Sequence, residues 1–150
     1  MVDGACRSSP PLSADLWAER LTTLAVADDS GALLIPTPLL ALPAASVADD
    51  TEAMGRLQRW VRSGSPQPPS RETPLTAVDA SLQGVVRLDA LLHYLANPTL
   101  LFGAAESSWG AKGPLGVQLD DGRVVLVDGN HRWVAALLAG RPTLLMQVLR

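Results

Sequence analysis

The sequence predicts a mixed α/β (α+β) domain at residues 85–150, preceded by a helical N-terminal region. Three observations predict it. Apolar residues near the N-terminus recur at helical spacing, as Leu16, Trp17, Leu21 and Leu24 do. From Gly84 onward they instead gather into short runs bounded by turn residues. One such run leads through Asp128-Gly129-Asn130 directly into a very apolar segment that stops at Gly140 and Pro142, the pattern of a strand, a tight turn and a helix.

Each element follows in order. Ser13 is a good N-cap for a first helix, and Asp15 and Glu19 complement its dipole. Leu12 and Trp17 have the spacing of a hydrophobic staple. Asp28-Asp29-Ser30-Gly31 ends this segment, and Ala32–Ile35 reads as a short strand stopped by Pro36 and Pro38. A second helix is expected from about Asp50 to Ser63, with Met54, Leu57, Trp60 and Val61 on one face and Gly64 at C′. Arg56, Arg59 and Arg62 lie off that face, a solvated surface that could also meet an anion. Four prolines between Gly64 and Pro74 exclude a helix or a central strand. Residues 1–64 are therefore read as a helical region and 65–84 as a proline-rich linker or loop. In the third part, Gly84–Leu88 is a strand, and Asp89 caps a helix over Ala90–Leu95 that Asn97-Pro98 terminates. Leu115–Leu119 and Arg123–Val127 form a hairpin around Asp120-Asp121-Gly122. His131–Ala139 is a helix, and Thr143–Leu149 is a last strand.

Composition narrows the function classes. Hydrophobic residues make up 47% and charged residues 18%, which excludes a disordered chain. A net charge of −3 disfavours DNA as a partner. The single Cys6 excludes a disulfide framework or a multi-cysteine metal site, and two histidines exclude a His-rich one, so no metal site is expected. No apolar stretch approaches a membrane span, and the start lacks the pattern of a signal peptide, so a cytoplasmic protein is expected.

The chemistry concentrates at Asp128-Gly129-Asn130-His131-Arg132. A helix N-terminus leaves backbone N–H groups unpaired and carries partial positive charge, which suits phosphates and carboxylates. Gly129 lets a backbone approach closely. Arg132 offers a forked donor, and His131 adds a donor or a charge. Asp128 and Asn130 can cap the helix, and Asp128 can orient His131. His93 reads as a packing or surface histidine, and Trp109 as a loop aromatic anchored to the core.

Gly129-Asn130-His131-Arg132 resembles the G-C-H-R turn of the ParB/sulfiredoxin superfamily. The likeness extends to Val85–Leu91, Gly113–Leu119 and Leu137–Val148, and covers about residues 85–150. It implies a small mixed-sheet domain whose turn contacts nucleotide phosphates. Asn130 stands where the sulfiredoxin nucleophile would be a cysteine, which excludes peroxiredoxin repair. Partition proteins continue into a helix-turn-helix, whereas this chain stops at Arg150. Relatives that are nucleases or a serine kinase use an acidic residue outside the turn, and Glu106, Asp120 and Asp121 are the candidates for that role here. A slighter similarity links Asp128, Gly129, Asn130 and Arg132 to the Fic motif, whose histidine would fall at Val124.

The resemblance implies a bacterial nucleotide- or phosphate-ester-binding protein. Its catalytic residues would be His131 and Asp128. Gly129, Asn130, His131 and Arg132 would hold the phosphate, and a nucleoside triphosphate with Mg²⁺ would be the cofactor. Phosphotransfer, NTP hydrolysis and phosphodiester cleavage are the reactions in view. The alternative is a non-catalytic ligand-sensing or protein-interaction module, with a protein partner on the N-terminal helices.

Overall fold

Helix α1 (Ala14–Thr22) begins where the Ser13 side chain accepts a hydrogen bond from the Leu16 N–H at 3.3 Å, the capping expected of a serine. The computed structural model describes residues 13–40, 42, 51–101 and 113–150. The Leu12 staple and the helix start at Asp50 lie outside the described residues. Trp17, Leu21 and Leu24 pack into the core, but Leu16 is 44% exposed. Residues 17, 21 and 24 follow the i, i+4, i+7 stripe, and position 16 is rotated off it.

A three-stranded antiparallel sheet follows, in the order β1 (Val26–Ala27), β2 (Leu33–Pro36), β5 (Val85–Arg87). The Asp28 carboxylate closes the first turn by accepting from the Ser30 and Ala32 N–H groups at 2.9 and 3.0 Å. Pro36 is the last residue of β2, a strand end where its missing N–H is tolerated.

The larger sheet is mixed and has five strands. β3 (Arg71–Pro74) and β8 (Thr143–Leu149) are antiparallel, and β8 runs parallel to β6 (Leu115–Gln118). β6 forms the expected hairpin with β7 (Val124–Asp128), and β4 (Ala80–Ser81) lies parallel to β7 at the edge. The α+β class is thus as the sequence predicts. Hydrogen-bonded ladders cross both expected region boundaries. β2 pairs with β5, and the 65–84 segment contributes β3 and β4 to the sheet.

Helices cover both faces of this sheet. α4 (Asn130–Leu138) and α3 (Leu88–Ala96) join α1 in one core, centred on the fully buried Trp133 and including Leu126 and Leu144. On the other face α2 (Thr51–Ser63) lays Ala53 and Leu57 on Leu115, Val117, Val125 and Val127. The alternation of Val125 and Val127 with Leu126 is the strand period of two, dividing β7 between the two cores. Val61, expected on the buried face of α2, is 46% exposed, while Ala53 is buried. α3 starts two residues earlier than expected, with Arg87 and not Asp89 at its N-cap. The Asp89 carboxylate instead accepts from the Ala90 N–H at 2.7 Å and from Arg87 Nε at 3.1 Å.

Candidate functional site

β7 delivers the chain to the turn and α4 carries it away. Gly129 is the hinge between them, with φ 86° and ψ 24°. This left-handed conformation favours glycine. A second constraint acts at the same place. A Cβ on Gly129 would lie 2.6 Å from Pro114 Cβ and 2.7 Å from Pro114 Cα. The close approach that glycine permits is therefore to the chain's own Pro114. The Asp128 carboxylate accepts from the Gly129 N–H at 2.8 Å.

Asn130 is 2% exposed and tied on both sides. Its Oδ1 accepts from Ser81 Oγ at 2.8 Å, and its Nδ2 donates to the Val85 carbonyl at 3.4 Å. It joins α4 to β4 and β5, and the N-cap position itself is held by Gly129, which has no side chain to cap with. Arg132 is also turned inward, at 7% exposure. Its Nη2 donates to the Leu100 carbonyl at 2.9 Å, and its guanidinium carbon lies 5.9 Å from the Tyr94 ring centroid. One arm of the fork expected to face a phosphate donates to the chain's own carbonyl, and the guanidinium lies against a ring. Its Nε is buried without a hydrogen-bond partner among the described residues.

His131 is half-buried. Its Nε2 accepts from the Arg87 main-chain N–H at 2.9 Å, which makes the ring neutral with the proton on Nδ1. Arg87, and not Asp128, therefore orients the imidazole. Burial holds it below its ordinary value of 6.5, the Arg87 charge pushes the same way, and Asp89 opposes both. Arg87 and Asp89 form an exposed ion pair at 3.1 Å. They border a surface depression of about 450 Å³, whose apolar lining includes Leu33, Leu88 and Leu92.

The structure brings together Asp128 to Arg132 and adds partners distant in sequence: Ser81, Val85, Arg87, Leu100 and Pro114. No spacing in the sequence marks these five. Asp120 and Asp121 do not join the turn. They sit at the hairpin end of β7, opposite Asp128, where Asp120 pairs with Arg56 and Asp121 with Arg123. Glu106 and Trp109 lie outside the described residues. His93 is exposed, with its ring edge against Tyr94. Among the described residues no three His, Cys, Asp or Glu side chains gather to hold a metal ion. No described helix is long and apolar enough to cross a membrane.

The first turn of α4 offers main-chain donors. The first bond of the helix runs from the Trp133 N–H to the Gly129 carbonyl at 3.0 Å, so the N–H groups of Asn130 and His131 have no intrahelical acceptor. The geometry can therefore bind an anion by backbone, whereas its side chains hold the fold. Comparison with protein families, with curated proteins and with solved structures finds no match.

Proposed function

We propose that the chain binds a nucleotide or other small phosphate ester without transforming it. The phosphate is received by the main-chain N–H groups of Asn130 and His131. The observation that carries this reading is the entry to α4: a left-handed Gly129 at the N-cap, which has no side chain to accept from the first turn. Such a helix start attracts an anion through its free donors and its dipole. The resemblance of Gly129 to Arg132 to the ParB/sulfiredoxin turn supports the same seat.

Binding is favoured over catalysis by what His131 already does. Its Nε2 holds the Arg87 N–H, so taking up a proton there breaks that bond. Mg²⁺ arriving with a nucleoside triphosphate would be carried by the phosphates, since this ion keeps several waters and is bound largely through them.

The test is a thermal-shift and calorimetric screen of adenosine and guanosine phosphates, with and without Mg²⁺, followed by assay for product. A ligand at one hundred times its Kd adds about 2.7 kcal/mol to stability. The expected outcome is stabilisation without turnover. Absence of stabilisation by every phosphate ester overturns the reading. Turnover that His131→Gln lowers by roughly 10²–10⁴-fold would replace it with the enzyme reading.

A further inference from the structure

A second cavity lies between α2 and the β3–β8 edge of the five-stranded sheet, away from the α4 turn. Its volume is about 610 Å³, within the range of small-molecule sites. α2, the proline segment at 65–69, β3 and the end of β8 enclose it. Val117 and Leu149 bring to it side chains of the core under α2, while Met146 and Val148 border it from strand positions whose side chains pack into the core on the α4 face. Gln147 Nε2 donates to the Pro68 carbonyl and so pins the proline segment to β8.

Four arginines line this one cavity in a chain whose net charge is −3. Arg56 is matched by Glu52 at 3.1 Å and by Asp120. Arg150 donates to Gln118 Oε1 at 2.7 Å. Arg59 and Arg71 meet no carboxylate among the described residues, and no described acid lines the cavity. Trp60 completes the wall, and its indole Nε1 is buried without an acceptor. Arg59 and Arg71 bring two positive charges and two forked donors to one cavity, and a single anionic group can accept from both. The indole, the proline rings and the planar guanidiniums are surfaces on which a flat ring stacks.

We propose that this cavity is a binding site for a small aromatic anion, with a carboxylate or phosphate head between Arg59 and Arg71 and its ring against Trp60. The site goes beyond the phosphate seat on α4 and does not depend on it.

The probes are 1-naphthyl phosphate, 1-naphthoate and neutral 1-naphthol, titrated into the full chain. Calorimetry reads affinity, and the NMR signal of the Trp60 indole N–H reads location. At least one anion should bind at least tenfold more tightly than naphthol and move the Trp60 signal. The stronger of the two anions identifies the head group. Arg59→Ala with Arg71→Ala should lower that affinity at least tenfold, while Arg62→Ala, on the same helix but outside the cavity, should leave it unchanged. Both cavity arginines are exposed, so their loss spares the core. Naphthol binding as tightly as the anions overturns the proposal, as does an affinity that ignores the double substitution. Naphthyl phosphate that moves the Asn130 and His131 amides but not Trp60 overturns the cavity while sustaining the α4 seat. Anions that move Trp60 alone do the reverse.

Discussion

Replacing Gly129 by alanine perturbs the hinge of the candidate site in two separable ways. A side chain at φ 86° sits in the left-handed region, which costs about 1–2 kcal/mol for an L-residue. The new Cβ also lies 2.6–2.7 Å from Pro114, and relieving such overpacking costs about 1–3 kcal/mol. The sum is about 2–5 kcal/mol, which for a domain of this size lowers Tm by about 4–20 °C. Gly122 supplies the comparison. Its φ is 90°, but a Cβ there meets nothing within 4 Å. Gly122→Ala should therefore cost only the conformational part, about 1–2 kcal/mol. Urea denaturation of both variants gives the difference directly, and about 1–3 kcal/mol is expected in favour of Gly122→Ala. Pro114 is not free to retreat, because its carbonyl accepts the Gln147 N–H at 2.9 Å. Equal destabilisation by the two substitutions would refute the idea that close approach to Pro114, rather than turn conformation alone, requires glycine at 129.

Two further outcomes follow from the same site. Asn130→Ala should cost about 1–3 kcal/mol, since it leaves buried partners unsatisfied; the variant Ser81→Ala, Asn130→Ala should cost less than the sum of the single changes. Additive losses in urea denaturation would show that Ser81 and Asn130 are not coupled. For His131, burial lowers the folded-state pKa, so the neutral ring is the form that folding favours. Its contribution is complete above about 6.5, the unfolded value, and is lost as pH falls through that value towards the folded one. The slope of stability against pH below 6.5 should flatten in His131→Gln, and an unchanged slope would contradict the assignment.

Much of the fold was legible in local pattern. The limits of β8 coincide with the expected Thr143–Leu149, because a long apolar run follows a proline that ends any preceding helix. The β6–β7 hairpin is written in Asp120-Asp121-Gly122 between two apolar runs. β3 was not legible: Arg-Glu-Thr-Pro carries no apolar alternation, and it becomes a strand because β8 has an edge to pair. β1 and β4 have two residues each and are likewise set by their partners.

The candidate site was legible as a place but not as a set of roles. A glycine between an apolar strand and an apolar helix marks a tight entry, and the entry is there. The direction in which Asn130, His131 and Arg132 point depends on Ser81, Arg87 and Leu100, which reach them only in the folded chain. Residue types suited to a phosphate are equally suited to an orphan main-chain group. Local sequence carries no signal that separates the two. The cavity under α2 was foreshadowed only by Arg56 and Arg59 on a helix face, since Arg71 and Arg150 come from β3 and the C-terminal end.

The most direct measurement is the amide NMR spectrum of the full chain titrated with adenosine diphosphate. A phosphate seated on the first turn of α4 must shift the N–H signals of Asn130 and His131 first and furthest. The His131 ring should meanwhile keep its neutral tautomer, because Nε2 continues to hold the Arg87 N–H. Saturable shifts centred on those two amides are the predicted result. Saturable binding that leaves both amides unmoved would contradict the account.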